Sequence, residues 1–318
     1  MSGRRRAAAS AADNTFLSRV YERARRAKLR IVLPEGDDAR VREAAARIER
    51  DGLGRVQLLD RTAPCSVLPD CIRLLRARKP DRFPTDTAAT EALQHPLTLG
   101  ACLVGVGEAD VMVGGACYPT ADTIRAGLWA VGTAPGITTV SGAFYMVQDD
   151  AVLTFTDGAV VPEPTPGQLA DSAVAAARDR RRIVEDEPVV ALLSYGTRGS
   201  AAGPRIDRVR AAVEALRRRT PPPDFAFDGE LQGDAALVAD VAARKAPGSP
   251  VGGKANVLVF PDLDSGNIAY KLVQRLGGWT ALGPVLQGLA RPISDLSRGA
   301  TADDIVSTAA LAVLQWGG

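Results

Sequence analysis

Short runs of Val, Ile and Leu alternate along the chain with longer Ala- and Arg-rich stretches whose apolar positions recur at helical spacing. The apolar runs predict strands at Arg30–Pro34, Val56–Leu59, Val111–Val113, Val189–Tyr195, Phe225–Asp228, Val257–Phe260 and Gly283–Leu286. The periodic stretches predict helices over 38–50, 88–106, 120–131, 167–183, 204–219, 232–244, 266–276 and 301–315. Strands alternating with helices of about ten to fifteen residues build βαβ units and a mostly parallel sheet. The strands lack strict in–out alternation, which fits sheets covered on both faces. One stretch breaks the rhythm: Thr138–Val147 and Val152–Thr156 are β-rich and separated only by Gln148–Asp150, a hairpin or edge pair. It marks a domain boundary near residue 143. Pro162, Pro164 and Pro166 precede a helix, and Pro221–Pro223 precede a strand, but neither stretch is long enough for a disordered linker.

Length supports the same division, since 318 residues suffice for two domains at roughly 150 each. The expected organisation is residues 1–142 with 287–318 as a first α/β domain and 143–286 as a second. Lys and Arg total 39 against 37 Asp and Glu. A net charge of +2 supplies no field for nucleic acid or an anionic membrane surface. No run approaches the roughly 18 apolar residues of a membrane-spanning helix. Cys65, Cys71, Cys102 and Cys117 form no CxxC pair and no disulfide framework, so the expected setting is reduced and cytoplasmic. Arg4–Arg6 lack the apolar core of a signal peptide and read as a solvated end, an organelle transit segment being the alternative. His95 is the single histidine, which argues against Ser-His-Asp hydrolysis, multi-histidine metal sites and two-histidine relays. It precedes Pro96 and reads as structural. Trp129, Trp279 and Trp316 are too dispersed to stack bases, and Cys117 reads as a small filler.

Three segments carry candidate chemistry. Gly248, Gly253 and Lys254 match the spacing of a phosphate loop, but Ala255 replaces the magnesium-binding hydroxyl and the string leads into a strand instead of a helix. It is a decoy. Ser194–Ala201 has the right context, following an apolar strand and opening a helix. There glycines allow close approach, and helix amides with Ser and Thr hydroxyls favour an anion. A small-residue turn, or a dinucleotide site with Asp228 as ribose-binding acid, are the other readings. Finally, Ser294–Asp304 follows an apolar run and precedes an apolar helix. Thr301-x-x-Asp304 has capping-box spacing, so Asp304 either caps the helix or joins Ser297 and Arg298 at a strand's carboxyl end, where open α/β sheets bind ligands.

At these segments the chain resembles the phosphate acetyltransferases, within the phosphate acetyl/butyryl transferase superfamily. The matching strings are Gly107-Glu-Ala-Asp-Val-Met-Val-Gly-Gly-Ala116, Thr120-Ala-Asp-Thr-Ile-Arg125, Asp228-Gly-Glu-Leu-Gln232, the run from Gly253 to Arg275, Gly283-Pro-Val-Leu-Gln-Gly288 and Leu296-Ser-Arg-Gly299. The likeness runs from about Ile31 to the C-terminus and is loosest over Asp60–Pro84, where a CoA-contacting arginine is expected near Arg76 or Arg78. It implies two three-layer α/β/α domains of the isocitrate/isopropylmalate dehydrogenase kind, a homodimer, and an active site in the interdomain cleft. The implied reaction interconverts acetyl-CoA plus phosphate with acetyl phosphate plus CoA. Coenzyme A enters as a substrate, and no bound cofactor or metal is implied. Asp304 stands at the position of the base for the CoA thiol. Arg298 stands where phosphate and acyl oxygen are gripped, with Ser297 at the reacting carbonyl. Arg125, Lys271 and Arg275 fall on positions meeting CoA or phosphate. Thr120 belongs to the same motif as Arg125, and Ser194, Thr197, Gly199 and Ser200 to the small-residue loop.

The chemistry sets a demand on that base. A thiol titrates near 8.5 and an aspartate near 3.9, so the proton transfer is uphill by about 6 kcal/mol unless a burying cleft and a nearby arginine narrow the gap. Three rival readings remain open: transfer of propionyl or butyryl groups, a non-catalytic acyl-CoA-sensing domain, and an NAD-dependent dehydrogenase using Ser194–Ala201.

Overall fold

The computed structural model describes residues 15–59 and 67–317. The Arg4–Arg6 run, Cys65 and residues 60–66 of the Arg- and Pro-rich segment lie outside them. In chain order the elements begin α1 (Thr15–Ala27), β1 (Arg30–Leu33), α2 (Ala39–Arg50), β2 (Arg55–Leu58), α3 (Leu68–Arg78), α4 (Asp86–Leu93), α5 (Pro96–Val106), β3 (Val111–Gly114) and α6 (Thr120–Ala130). A middle group follows: β4 (Ser141–Gln148), β5 (Ala151–Thr156), α7 (Pro166–Ile183), β6 (Val189–Leu193), α8 (Pro204–Arg217), β7 (Ala226–Leu231), α9 (Gly233–Leu237), α10 (Ala239–Lys245), β8 (Val257–Val259) and α11 (Leu263–Gly277). The chain closes with β9 (Thr280–Gln287), β10 (Ile293–Asp295) and α12 (Ala302–Gln315). Two units separate at Ile137 and Gly283, against expected positions of 143 and 287.

The unit holding Leu17–Gly136 and the chain from Gly283 onward is built on a four-stranded sheet of order β10-β3-β1-β2, parallel throughout. Its central strand β3 is buried at every residue. Helix α12 is buried from Ile305 to Gln315 and packs against α2 and β3, which explains why its sequence is apolar all round. The unit of Ile137–Leu282 carries a six-stranded sheet of order β7-β6-β8-β5-β4-β9. There β6, β7, β8 and β5 run parallel, and β4 with β5 forms the expected hairpin, antiparallel from Ala143↔Thr156 to Gln148↔Ala151. Val190, Leu192, Val257 and Val259 pack under α7 and α8, while Ala191, Leu193 and Leu258 face the opposite layer. Burial on both faces is why these strands are continuously apolar.

Local chemistry accounts for the differences from expectation. The single helix expected over 88–106 breaks at His95, because a residue before proline is pushed out of helical geometry; His95 sits at φ −80°, ψ 121°. The helix expected over 232–244 breaks at Val238, where the backbone of Gly253 comes so close that a Cβ would lie 2.4 Å from the Val238 carbonyl carbon. The near-phosphate-loop string is therefore a backbone crossing ahead of β8. Helices α1 and α3 and the three-residue β10 were not predicted. Among the described residues no helix is long and apolar enough to cross a membrane.

Candidate functional site

The parallel strands β1, β3 and β10 all end on one edge, and their loops supply the polar groups there. Beyond β10 the chain makes a tight turn, with the Ala300 N–H donating to Ser297 O at 2.8 Å. The Gly299 N–H donates to Ser297 Oγ at 3.2 Å. Ser297 and Arg298 are exposed, and among the described residues the Arg298 guanidinium meets no hydrogen-bond or ion-pair partner. Thr301 then caps α12 in a reciprocal box. Its N–H and hydroxyl both reach Asp304 Oδ2 at 2.8 Å, and its Oγ1 accepts from the Asp304 N–H at 3.2 Å. Asp304 is exposed, not held in the burying environment expected of a thiol base. The exposure follows from its place: Asp304 is on the first turn of α12 and reaches back to its own cap.

Four residues that sequence reasoning passed over hold this edge together. Glu35, buried after β1, accepts from the amides of Gly115, Ala116 and Cys117 at 2.8, 3.0 and 2.7 Å. Asp295, at the end of β10, accepts from the hydroxyls of Thr120 and Thr123. Burial pushes the Asp295 carboxyl up to about 6, against the pull of those two hydroxyls. A Cβ on Gly115 would lie 2.3 Å from Asp295 Oδ1, so this position tolerates only glycine. Arg40 donates through Nη1 to Arg298 O and Ala300 O, both at 2.9 Å. Its Nη2 reaches Ala116 O at 3.0 Å and Asp38 Oδ2 at 2.8 Å, and its Nε reaches Asp38 Oδ1 at 3.1 Å. The Arg40 fork holds the Asp38 carboxyl well below the usual carboxylate range. Desolvation and Asp38 push the Cys117 thiol up to about 11, so it stays protonated and donates to Asp38 at 3.3 Å. The available signal was position: Glu35, Asp38 and Arg40 follow directly on a predicted strand.

Thr120 is therefore tied to Asp295, two residues before Ser297. Arg125 lies on the exposed side of α6, paired with Asp122 and 5.9 Å from the Trp129 ring. Arg82 lies 5.7 Å from the same ring. Arg82, His95, Asp122, Arg125 and Trp129 line a cavity of about 380 Å³. Arg76 and Arg78 are committed elsewhere, to Asp86 and to Val131 O. In the other unit Lys271 is exposed on α11 and donates to Asn267 at 2.7 Å, and Arg275 is exposed one turn further on.

The loop after β6 departs most from expectation. Gly199 sits at φ +92° and gives its N–H to Glu230 Oε1 at 2.8 Å. The Thr197 N–H donates to Ser200 Oγ at 2.9 Å, and the buried Thr197 Oγ1 accepts from the Gln232 N–H at 3.0 Å. Arg198 pairs with Asp228 at 2.7 Å. Asp228 also accepts from Ser249 at 2.6 Å, which removes it as a free ribose acid. The groups expected to hold an anion are thus engaged by carboxylates and side chains of β7 and beyond. Ser194 lines, half-buried, a cavity of about 570 Å³ with Tyr195, Arg205, Arg208, Asp262 and Ser265, while Gly199 and Ser200 lie exposed. Among the described residues no three His, Cys, Asp or Glu side chains are grouped to ligate a metal.

Comparison with known proteins covers most of this chain. The sequence profile described as phosphate acetyl/butaryl transferase matches residues 15–313. The phosphate acetyltransferase of Paracoccus denitrificans is 43% identical, over 94% of this chain and 98% of its own. That of Haemophilus influenzae is 41% identical over 94% of this chain, which spans about half the length, 45%, of that relative. The crystal structure of a phosphotransacetylase from Streptococcus pyogenes superposes with a TM-score of 0.86 at 38% identity, over 94% of this chain and 98% of that one. A putative 4-hydroxythreonine-4-phosphate dehydrogenase from Salmonella typhimurium, 12% identical over 91% of this chain and 99% of its own, shares the fold at a TM-score of 0.51.

Proposed function

Because this chain belongs to the phosphate acetyl/butaryl transferase family, we propose that it moves an acetyl group between coenzyme A and inorganic phosphate, with both as substrates and no resident cofactor. The observation that carries the reading is the Ser297–Ala300 turn: its carbonyls at Ser297, Arg298 and Ala300 have partners, while among the described residues the Arg298 guanidinium has none. Ser297 Oγ accepts from an amide, so its own proton is left to donate. The Arg298 fork, unpaired among the described residues, suits two phosphate oxygens at once. Asp304 holds Thr301 through Oδ2, which leaves Oδ1 as the proton acceptor.

Starting from acetyl phosphate, Asp304 takes the thiol proton as sulfur forms its bond to the acetyl carbon. The carbonyl electron pair moves onto oxygen, where Ser297 and Arg298 stabilise it. The pair then returns, the bond from carbon to the bridging oxygen breaks, and phosphate leaves with those electrons and the proton that Asp304 carried. Arg125, Thr120, Lys271, Arg275 and Ser194 are proposed to bind CoA or phosphate. A homodimer is also proposed, supported by the apolar stripe Ile268, Leu272 and Leu276 on α11, which is 52–83% exposed. The free thiols Cys71, Cys102 and Cys117 support a reduced, cytoplasmic setting.

The test mixes the protein and CoA with acetyl, propionyl or butyryl phosphate and follows thioester absorbance. Acetyl phosphate is expected to react fastest. A faster butyryl reaction moves the substrate to the longer acyl chain, and CoA binding with no thioester from any donor would overturn catalysis in favour of a sensing domain.

A further inference from the structure

Arg40 has five N–H donors, and each has an acceptor: two on Asp38, one on Ala116 O, one on Arg298 O and one on Ala300 O. We infer that Arg40 is a positioning residue for the transfer proposed above, fixing the backbone of the Ser297–Ala300 turn so that the Arg298 side chain meets substrate in one orientation. The inference rests on the acyl-transfer reading. Arg40 sits on the first turn of α2, 258 residues from Arg298, and its side chain is about a third exposed at 35%, so it had water as an alternative partner.

The geometry is specific to the turn. Inside it, Ser297 O and Oγ are engaged by the amides of Ala300 and Gly299. Those bonds hold the N–H side of the two peptides that meet at Gly299, and neither reaches the carbonyls of Arg298 and Ala300. The carbonyls of Arg298 and Ala300 flank that glycine, and both are held by the same Nη1. The other end of the guanidinium is anchored on a rigid shelf. Glu35 fixes the amides of Gly115–Cys117, and Asp38 fixes Cys117 Sγ as well as Arg40 itself. A network with every member satisfied transmits position instead of absorbing it. A second arginine on the same helix offers the contrast. Arg47 also ties α2 to the start of α12, but it does so through the exposed side chain of Asp303, a pairing that leaves the turn untouched.

The test measures acetyl-CoA formation and thermal unfolding for the parent protein and for Arg40→Lys, Arg40→Ala and Arg47→Gln. Lysine keeps the charge but cannot place donors on two carbonyls and a carboxylate together. Arg40→Lys is expected to melt cooperatively near the parent and to lose about 10²-fold in kcat, the cost of misplacing a reacting group by about 1 Å, with its KM for CoA little changed. Added guanidinium is expected to restore part of the kcat of Arg40→Ala, and Arg47→Gln to match the parent. Parental kcat in folded Arg40→Lys, or an equal loss in Arg47→Gln, would overturn the inference. So would a folded Arg40→Ala that guanidinium leaves unchanged. A parent protein that forms no thioester sinks the acyl-transfer reading itself, a result separable from any of these.

Discussion

Two strand-end segments, one in each unit, have much the same composition and opposite states. Ser194–Ser200, after β6, is rich in glycine and hydroxyls, yet three of its donors are taken: Gly199 N–H by Glu230, the Thr197 N–H by Ser200 Oγ, and the Arg198 fork by Asp228. Ser297–Ala300, after β10, is held by backbone carbonyls, through Arg40 and its own amides, so Ser297 and Arg298 remain exposed. The lesson is that an anion site depends on what already occupies its donors. A loop braced by internal carboxylates has its anion in place, whereas a loop braced through its carbonyls keeps its cationic side chain for a ligand.

The largest expected effect tests that contrast directly. Arg298→Ala should lower turnover at least about 10²-fold, the usual cost of losing one donor to a developing oxyanion. Asp304→Asn should cost about 10²-fold as well, while its remaining amide oxygen keeps the cap on α12 and the melting temperature nearly constant. Ser200→Ala, in the occupied loop, should change turnover by no more than about threefold. The readout for all three is thioester formation from acetyl phosphate. If Ser200→Ala costs as much as Arg298→Ala, the occupied loop opens during turnover and the comparison fails. A fully active Asp304→Asn would return Asp304 to capping alone.

A smaller effect concerns what keeps the first loop closed. Glu230 is buried, and burial alone would push its carboxyl up. The Arg210 fork at 2.9 Å and the Gly199 amide outweigh that and hold it below the ordinary carboxylate value. Glu230→Gln should destabilise the protein by about 1–3 kcal/mol, the range for a buried bond left partly unmade. Urea unfolding near neutral pH measures it. An unchanged midpoint would mean that the loop owes its shape to Thr197 and Arg198 instead.

How much of this was legible depended on whether the signal was local. The strands of the parallel cores were readable because burial on both faces forces continuous apolar runs, as in Val189–Leu193. The hairpin was readable from the short gap between its strands. Strand β10, with three residues, carries too little pattern to detect, although it positions Ser297 and Arg298. The Thr301–Asp304 spacing was legible as a capping box, but spacing does not encode exposure. Arg40 was out of reach for a plainer reason. Its acceptors are backbone carbonyls far along the chain, and a carbonyl is the same at every residue. In the loop Ser194–Ser200, glycines and hydroxyls reveal that donors exist, not that Glu230 and Asp228 meet the Gly199 amide and Arg198.

The two segments should also respond to pH with opposite sign, which is the finest test of the contrast. Glu230, held low by Arg210, contributes stability that is present above the unfolded carboxylate range and is lost as pH falls. Asp295, two residues before Ser297, lies the other way. Its carboxyl rises from 3.8 to about 6 in the fold, so its stabilising share is present below about 3.8 and is lost as pH rises through about 6. That rise corresponds to about 3 kcal/mol at most. Asp295→Asn removes the cost of a buried charge but weakens the bonds from Thr120 and Thr123, which should leave a net gain of about 1 kcal/mol at pH 8. At pH 4 the same variant should be no more stable than the parent. The quantity to follow is the difference in unfolding free energy between parent and variant from pH 4 to pH 8, which cancels the groups that titrate in both. A difference that stays flat over that range would mean that Asp295 is ionised throughout, and that the turn carrying Arg298 rests on a full charge beside Glu35, not on a carboxyl that the fold keeps partly protonated.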